Sequence, residues 1–132
     1  MSGKRFSGEQ SSVGLQAALK IICGWRATPD QACKILRISL STYRRVLQGE
    51  NAGRRLDLDQ MQRISLVLGI HSSLRTVFSN PENIQGFPSF KNDNDFFEGR
   101  TPLEIMSQGN MIAIYETYKC IARLKQLGRR WF

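Results

Sequence analysis

The chain is poor in the residues that build metal centres and common active sites. It contains one histidine, His71, and three cysteines, Cys23, Cys33 and Cys120. No cysteine has a partner two to four residues away, so the usual zinc-ligand spacings are absent. The single histidine, which any Ser-His-Asp or Cys-His arrangement would need, is expected only to begin a short helix after Gly69. The sequence therefore predicts no metal, no cofactor, no small-molecule substrate and no enzyme activity.

Long apolar runs and a disulfide framework are missing as well. No stretch approaches the roughly eighteen uninterrupted apolar residues that span a bilayer. The first ten residues include a basic pair with no apolar segment behind it, so we expect no secretory signal. The cysteines are odd in number, widely spaced and set in apolar helical patterns, which predicts reduced, buried thiols. We therefore expect a cytoplasmic protein without a membrane-spanning segment.

An uneven excess of positive charge is what the sequence does contain. The 132 residues carry a net charge of +8, of which residues 1–56 hold +7, residues 57–99 hold −3 and residues 100–132 hold +4. Lysine and arginine gain free energy by displacing counterions from nucleic-acid phosphates. The first part of the chain is therefore predicted to present a polyanion-binding face. A chain of this length is also expected to fold as two interdependent halves around a shared core.

Helical spacing of apolar residues dominates the N-terminal half, and no segment alternates like a strand. Residues 1–12, rich in glycine, serine and basic residues, are expected to form a flexible arm. Residues 13–78 are expected to form five short helices, placed by their apolar spacing and caps, the second begun by Thr28 with Gln31 and the fourth by Asp57 with Gln60. These helices run from Val13 to about Gly24, Pro29 to about Leu36, about Leu40 to Gln48, Leu58 to Leu68, and Ser72 or Ser73 to Phe78. The apolar stripe of the fourth is assigned to Leu58, Met61, Ile64 and Leu68.

The C-terminal half, residues 79–132, begins with a segment that has no helical period. Residues 79–99 are expected to form a loop pinned by aromatic side chains, namely Phe87, Phe90, Phe96 and Phe97. A helix over residues 101–108 follows, begun by Thr101, Pro102 and Glu104 as cap, first residue and capping-box partner. Asn110 caps a last amphipathic helix over residues 110–127. The predicted fold is all-α.

Residues 29–48 match the pattern of a helix-turn-helix. Cys33 supplies the small residue between two helices, and Leu36 and Ile38 bracket the turn. The inner face of the second helix is assigned to Tyr43, Val46 and Leu47, and the outward face to Leu40, Ser41, Arg44, Arg45 and Gln48. The match departs from the pattern at Arg37, where glycine is usual because the turn often requires a positive φ. We expect residues 13–78 to be a DNA-binding domain.

The outward residues suit a major groove. Arg44 can reach guanine or phosphate, Gln48 can read adenine, and Ser41 and Thr42 can place the helix start on the backbone. The candidate DNA-binding residues are Ser39, Leu40, Ser41, Thr42, Arg44, Arg45 and Gln48, with Arg54 and Arg55 of the following loop as a phosphate clamp. Because helix-turn-helix proteins usually bind two half-sites related by a dyad, we expect a homodimer on double-stranded operator DNA.

The C-terminal half contains the segment Phe97-Glu98-Gly99-Arg100-Thr101-Pro102-Leu103-Glu104-Ile105-Met106, followed by Gly109 and an amphipathic helix. This arrangement resembles the toxin-binding domain of the Xre/MbcA/ParS antitoxins. In that family a Cro-repressor-like helix-turn-helix precedes an aromatic loop, a Gly-Arg-Ser/Thr-Pro-Leu-Glu motif and a final helix, so the resemblance covers about residues 13–128. It implies an antitoxin that neutralises a RES-domain toxin, an NAD-consuming enzyme similar to ADP-ribosyltransferases, and that represses its own operon.

Residues 101–106 of this motif have ordinary folding roles in capping and burial, so partner contact is expected elsewhere. The candidate toxin-binding residues are Arg100, Arg123 on the last helix with that helix's exposed face, and Arg129, Arg130, Trp131 and Phe132. Two interpretations of Trp131 and Phe132 remain open: insertion into the toxin, with the arginines near its NAD phosphate site, or packing onto the aromatic loop. The alternative function is a stand-alone dimeric transcription regulator without a toxin partner.

Overall fold

The structure is a computed structural model that describes residues 8–50, 56–89, 91 and 97–127, with the side chains of 8–10 and 125–127 left out. Within these ranges the chain forms α-helices, one 3-10 helix and no strand, which confirms the all-α prediction. The α-helices are α1 (Gly8–Gly24), α2 (Pro29–Leu36), α3 (Leu40–Leu47), α4 (Leu58–Val77), α5 (Pro81–Gly86), α6 (Pro102–Met106) and α7 (Met111–Leu127), and the 3-10 helix is Phe87–Ser89. None of the described helices is both long and apolar enough to cross a bilayer.

Capping side chains begin the helices at the predicted places. Complete capping boxes pair Thr28 with Gln31, Asp57 with Gln60, and Thr101 with Glu104. The amide of Ala113 donates to Oδ1 of Asn110 at 2.7 Å, which is the predicted cap of α7. Each cap stabilises its helix by about 1 kcal/mol by giving a partner to an amide that has none inside the helix.

Helix α1 begins earlier than predicted. The expected arm reached residue 12, but α1 starts at Gly8, and both Ser11 and Ser12 are buried. Ser11 lies one helical turn before Leu15 and two before Ala18, so it extends the same buried face. Apolar spacing alone misses this turn because serine does not count as an apolar residue.

Helix α4 is continuous where two helices were predicted. Gly69 does not end it. A Cβ at this position would lie 2.8 Å from Cε1 of Tyr118 on α7. The glycine therefore permits the close approach of α7 instead of terminating a helix. His71 consequently lies in the middle of α4 and not at a helix start, and burial lowers the pKa of its imidazole. Leu58, assigned to the apolar stripe, is 71% exposed at the first turn of α4.

The predicted loop over residues 79–99 contains α5 and the 3-10 helix. Oδ1 of Asn80 accepts from the amide of Glu82 at 2.6 Å, and Pro81 takes the first helical position. The prediction failed here because six residues are too few to show an apolar period. Phe87 and Phe97 are buried as expected, and Phe90 and Phe96 lie outside the described residues.

Two further burial predictions were wrong. Leu47 is 51% exposed, whereas Tyr43 and Val46 form the inner face of α3 as expected. Cys23 is exposed, while Cys33 and Cys120 are partly buried and all three thiols are free. Cys23 lies nine residues after Gly14, and therefore on the opposite side of α1 from the face that meets Ile64 of α4.

A single main core joins the two predicted halves. Helix α4 packs against α1 on one side and α7 on the other. The main cluster draws buried side chains from both halves, among them Leu19, Trp25, Ile35, Val67, Met106, Ile114 and Ile121. A smaller cluster of Phe97, Ile105 and Ala113 lies beneath the C-terminal motif. The helices of the N-terminal half are therefore held in place partly by α7.

Candidate nucleic-acid interface and partner surface

Helices α2 and α3 are joined by a tight turn of the predicted kind. Helix α2 ends at Leu36 and is followed by its C-cap residue Arg37, whose backbone is left-handed at φ 56° and ψ 49°. The amide of Ile38 then donates to the carbonyl of Cys33 at 3.1 Å, which closes the turn. This conformation places a non-glycine side chain against its own backbone and is therefore strained. Arg37, which stands where glycine is usual, is thus the residue of this turn that has a positive φ.

The first turn of α4 holds Arg37 in this conformation. Its Nε donates to Oδ2 of Asp59 at 2.6 Å, and its guanidinium also contacts Asp57. Nε2 of Gln60 donates to the carbonyl oxygen of Arg37 at 2.8 Å. Hydrogen bonding to this guanidinium lowers the pKa of both the Asp57 and the Asp59 carboxyls. The turn therefore keeps the geometry of a helix-turn-helix despite its arginine.

Two of the predicted DNA-binding hydroxyls are used inside the protein. Oγ of Ser39 accepts from the amide of Thr42 at 3.0 Å and donates to Oγ1 of Thr42 at 3.0 Å. Ser39 remains exposed, but Thr42 is only 6% exposed. Thr42 therefore acts as part of the cap of α3 and is buried, and its contact with a DNA backbone stays a prediction.

The other predicted residues of α3 share its outer surface. Leu40, Ser41, Arg44, Arg45 and Gln48 are all exposed. Ser41, Arg44 and Gln48 follow one another at helical spacing and form the central stripe, with Arg45 on one flank. Leu40 and Leu47 lie on the other flank, seven residues apart. Leu47 is the residue that sequence reasoning missed, although this seven-residue spacing from Leu40, itself placed outward, was the signal that could have found it.

Some predicted residues fall outside the part of the chain that the structure describes. These are Arg54 and Arg55 of the loop before α4, and Arg129, Arg130, Trp131 and Phe132 after α7. Their roles stay predictions, as does the choice between insertion and packing for the last two residues.

Arg100 lies on an exposed turn in front of α6. Glu98 and Gly99 have positive φ values of 53° and 81°, which turns the chain sharply away from the buried Phe97. Nε of Arg100 donates to the carbonyl of Phe97 at 3.3 Å, and its guanidinium lies 3.6 Å from a carboxylate oxygen of Glu98. The motif residues that follow are buried, namely Pro102, Leu103, Ile105 and Met106. Arg100 is therefore the exposed cation of a motif that otherwise serves the fold.

Helix α7 presents an apolar and basic outer surface. Ile112 is 73% exposed and Tyr115 is also exposed, while Nζ of Lys119 lies 5.4 Å from the centroid of the Tyr115 ring. Arg123 is exposed further along this helix. A groove of about 340 Å³ runs beside Tyr115 between α4 and α7, lined by Gln62, Ser65, Leu66, Met111 and Tyr115. Contiguous exposed apolar patches are typical of surfaces that bind other proteins, which makes this side of α7 the candidate partner surface.

Comparisons with known proteins agree with this geometry. A family model described as an antitoxin Xre-like helix-turn-helix domain matches residues 6–69, which contain α1, α2, α3 and the first part of α4. The chain is also 32% identical over 102 residues to the uncharacterized protein y4oB of Sinorhizobium fredii (strain NBRC 101917 / NGR234). That alignment covers 76% of this chain and 75% of the relative. No solved structure matches the chain.

Proposed function

The chain belongs to the family of Xre-like antitoxins, whose helix-turn-helix domain it carries, and we propose that it neutralises a RES-domain, NAD-consuming toxin and represses its own operon. Its DNA-binding surface is the outer face of α3, and its toxin-binding surface is the outer face of α7 with Arg100. The observation that carries the first assignment is the exposed stripe of Ser41, Arg44 and Gln48. The second rests on the exposed Ile112 and Tyr115 and on the resemblance of residues 97–106.

Operator recognition follows from the chemistry of the α3 surface. Arg44 offers a bidentate donor to guanine or a phosphate contact, and Gln48 matches the major-groove edge of adenine. Leu40 and Leu47 present methyl groups that suit the C5-methyl of thymine. The domain acts as a homodimer, because one recognition helix reads too short a site for a selective operator.

The experiment for this half compares DNA from upstream of the chain's own gene with random DNA of equal length. Wild-type protein is expected to bind the upstream DNA far more tightly at the same salt concentration, since specific and random sites typically differ by about 10³-fold or more. The double variant Arg44→Ala with Arg45→Ala should lose most of that preference. Equal affinity of the wild-type protein for both DNAs would contradict operator recognition.

Toxin recognition uses a different surface, which can be altered separately. The double variant Ile112→Asp with Tyr115→Ala places a charge in the exposed apolar patch of α7 and removes its aromatic ring. It is expected to lose copurification with the product of the neighbouring open reading frame, because aromatic anchors carry much of the binding energy of an interface. Val13→Asp, an equally exposed apolar position on α1, is the matched control and should retain binding.

Residues 129–132 are predicted either to insert into the toxin or to pack on their own domain, and a deletion distinguishes the two. Deletion of residues 129–132 should abolish rescue of a toxin-expressing cell if Trp131 and Phe132 insert into the toxin. Rescue should persist, with a lower thermal stability of the free protein, if they pack on their own domain. A neighbouring gene product that is neither toxic nor bound would instead favour the stand-alone regulator.

A further inference from the structure

Arg63 is an unusual residue because it is buried and charged yet belongs to neither proposed surface. Among the residues that the structure describes, it is the only charged residue that is buried, at 5% exposure. It lies in the second turn of α4, between the helix-turn-helix and the C-terminal half. A buried guanidinium is expected to be fully engaged by acceptors, since an unpaired one is strongly unfavourable.

Those acceptors come from three separate elements. Nη1 of Arg63 donates to the carbonyl oxygens of Lys34 and Ile35, each at 3.2 Å, in the last turn of α2. The same nitrogen donates to the carbonyl oxygen of Gly109 at 2.8 Å, in the turn between α6 and α7. Nε donates to Oδ2 of Asp59 at 2.9 Å. Carbonyls at the end of a helix lack partners inside it and carry its negative dipole, so this cation satisfies the end of α2.

The turn between α6 and α7 packs directly on the end of α2. Gly109 has a φ of 87°, and a Cβ there would lie 3.5 Å from the carbonyl oxygen of Lys34. A shallow cleft of about 480 Å³ separates this turn from the helix-turn-helix, lined by Cys33, Lys34, Arg37, Ile38, Gln108 and Gly109. The C-terminal half therefore touches the DNA-binding half at the short turn from which α3 begins.

Asp59 extends the connection to that turn itself. The same carboxylate oxygen, Oδ2, accepts from Nε of Arg63 and from Nε of Arg37. A continuous path of hydrogen bonds thus runs from Gly109 through Arg63 and Asp59 to Arg37, the strained residue between α2 and α3. A shift of the α6–α7 turn displaces the Gly109 carbonyl oxygen that accepts from Arg63. A shift of Arg63 in turn moves a donor that shares Oδ2 of Asp59 with Arg37.

We propose that Arg63 is a positioning residue that sets the orientation of α3 according to the position of the α6–α7 turn. The idea rests on the proposed operator binding and deepens it, because α7 also carries the proposed toxin surface and begins two residues after Gly109. Arg63 touches no DNA in this account. It acts by fixing the end of α2, and so the angle at which α3 enters the groove.

The test uses substitutions on both sides of the connection in the full-length protein. Arg63→Lys keeps the charge but replaces the planar fork with a single ammonium, which cannot span the same acceptors. Gly109→Ala changes no side chain of the helix-turn-helix. Its Cβ would meet the Lys34 carbonyl oxygen at an ordinary contact distance of 3.5 Å, so the substitution acts by straining the backbone of the α6–α7 turn at its φ of 87°. Gly99→Ala is the matched control, since Gly99 has a similar φ of 81° in the C-terminal half but lies before α6.

The first readout is the preference for upstream over random DNA, measured well below the unfolding temperature. Arg63→Lys and Gly109→Ala are each expected to lower this preference about tenfold, the size of one lost base-pair match. Affinity for random DNA, which depends on phosphates alone, should change less than about twofold. The two changes should be non-additive in the double variant, because they break one connection. A parallel loss on random DNA, or an effect of Gly109→Ala no larger than that of Gly99→Ala, would overturn the proposal.

The second readout does not require DNA. Exchange of the Ile38 amide proton, which is bonded to the Cys33 carbonyl in the turn, should accelerate in Arg63→Lys and Gly109→Ala but not in Gly99→Ala. If exchange of the Ile38 amide proton is unchanged in correctly folded Gly109→Ala, the positioning role of Arg63 is overturned. Absence of any DNA preference in the wild-type protein, with accelerated exchange in the variants, would instead contradict the proposed function and leave the connection supported.

Discussion

The proposed binding surfaces on α3 and α7 differ in how well the sequence predicts which residues form them. In α3 the exposed residues are those of a recognisable pattern, so Ser41, Arg44 and Gln48 follow directly from the helix-turn-helix spacing. In the C-terminal half the recognisable motif, residues 101–106, folds inward, and the exposed Ile112 and Tyr115 lie outside it. A distinctive motif therefore contains the proposed DNA-binding surface in one half and supports the fold in the other. Helix α4 connects the two regions, because it packs on α7 and also on α1 and α2, the helices that hold α3.

The largest effect is expected from breaking the core that the two regions share. Ile114→Ala removes a fully buried side chain of α7 and should lower the free energy of unfolding by about 2–5 kcal/mol. Because the core is common, amides of α2 and α3 should lose hydrogen-exchange protection together with those of α7. Ala17→Ser, at an exposed position of α1, serves as the control. Retained protection in α2 and α3 after loss of α7 would show two independent halves.

A smaller effect on stability is expected from changes at Arg37, in the turn between α2 and α3. Arg37→Gly removes the strain of the left-handed backbone but also the contacts with Asp57 and Asp59, whereas Arg37→Ala removes the contacts and keeps the strain. Arg37→Ala should therefore be the less stable of the two variants in urea denaturation. The reverse order would mean that the positive φ of this turn costs little.

The smallest effect concerns the pH dependence of the same contacts. The pKa values of Asp57 and Asp59 are lowered in the folded protein, chiefly by hydrogen bonds to Arg37. A lowered carboxyl pKa adds stability above the unfolded value of about 4, and that stability disappears as pH falls through the lower folded value. Asp59→Asn should therefore flatten the fall in melting temperature below about pH 4. An identical pH profile in wild type and variant would contradict this assignment.

Local chemistry explains which parts of the fold the sequence could predict. The caps at Thr28, Asp57 and Thr101 were predicted correctly because an N-cap and its partner are only three residues apart. Gly69 was misassigned because a glycine that ends a helix and one that admits Tyr118 have the same sequence signal. Arg63 was missed for a related reason, since its three carbonyl acceptors lie 28 to 46 residues away along the chain.

The candidate surfaces were likewise predictable where neighbouring residues determine them, and not where distant parts of the chain meet. The stripe of α3 was predictable because one helix contains it, and only Thr42 was drawn inward by its contact with Ser39. The groove beside Tyr115 was not predictable, because its wall on α4 is brought to α7 only by tertiary packing. Sequence spacing thus locates a surface within one helix and fails where two helices build it together.

The central claim is that one chain carries two separable surfaces, for operator DNA on α3 and for a toxin on α7. The most direct measurement scores both activities, upstream-DNA binding and rescue of cells expressing the neighbouring gene product, in two double variants. Arg44→Ala with Arg45→Ala should lose the first and keep the second, and Ile112→Asp with Tyr115→Ala should do the reverse. Loss of both activities in either variant, with the fold shown intact by circular dichroism, would contradict the account.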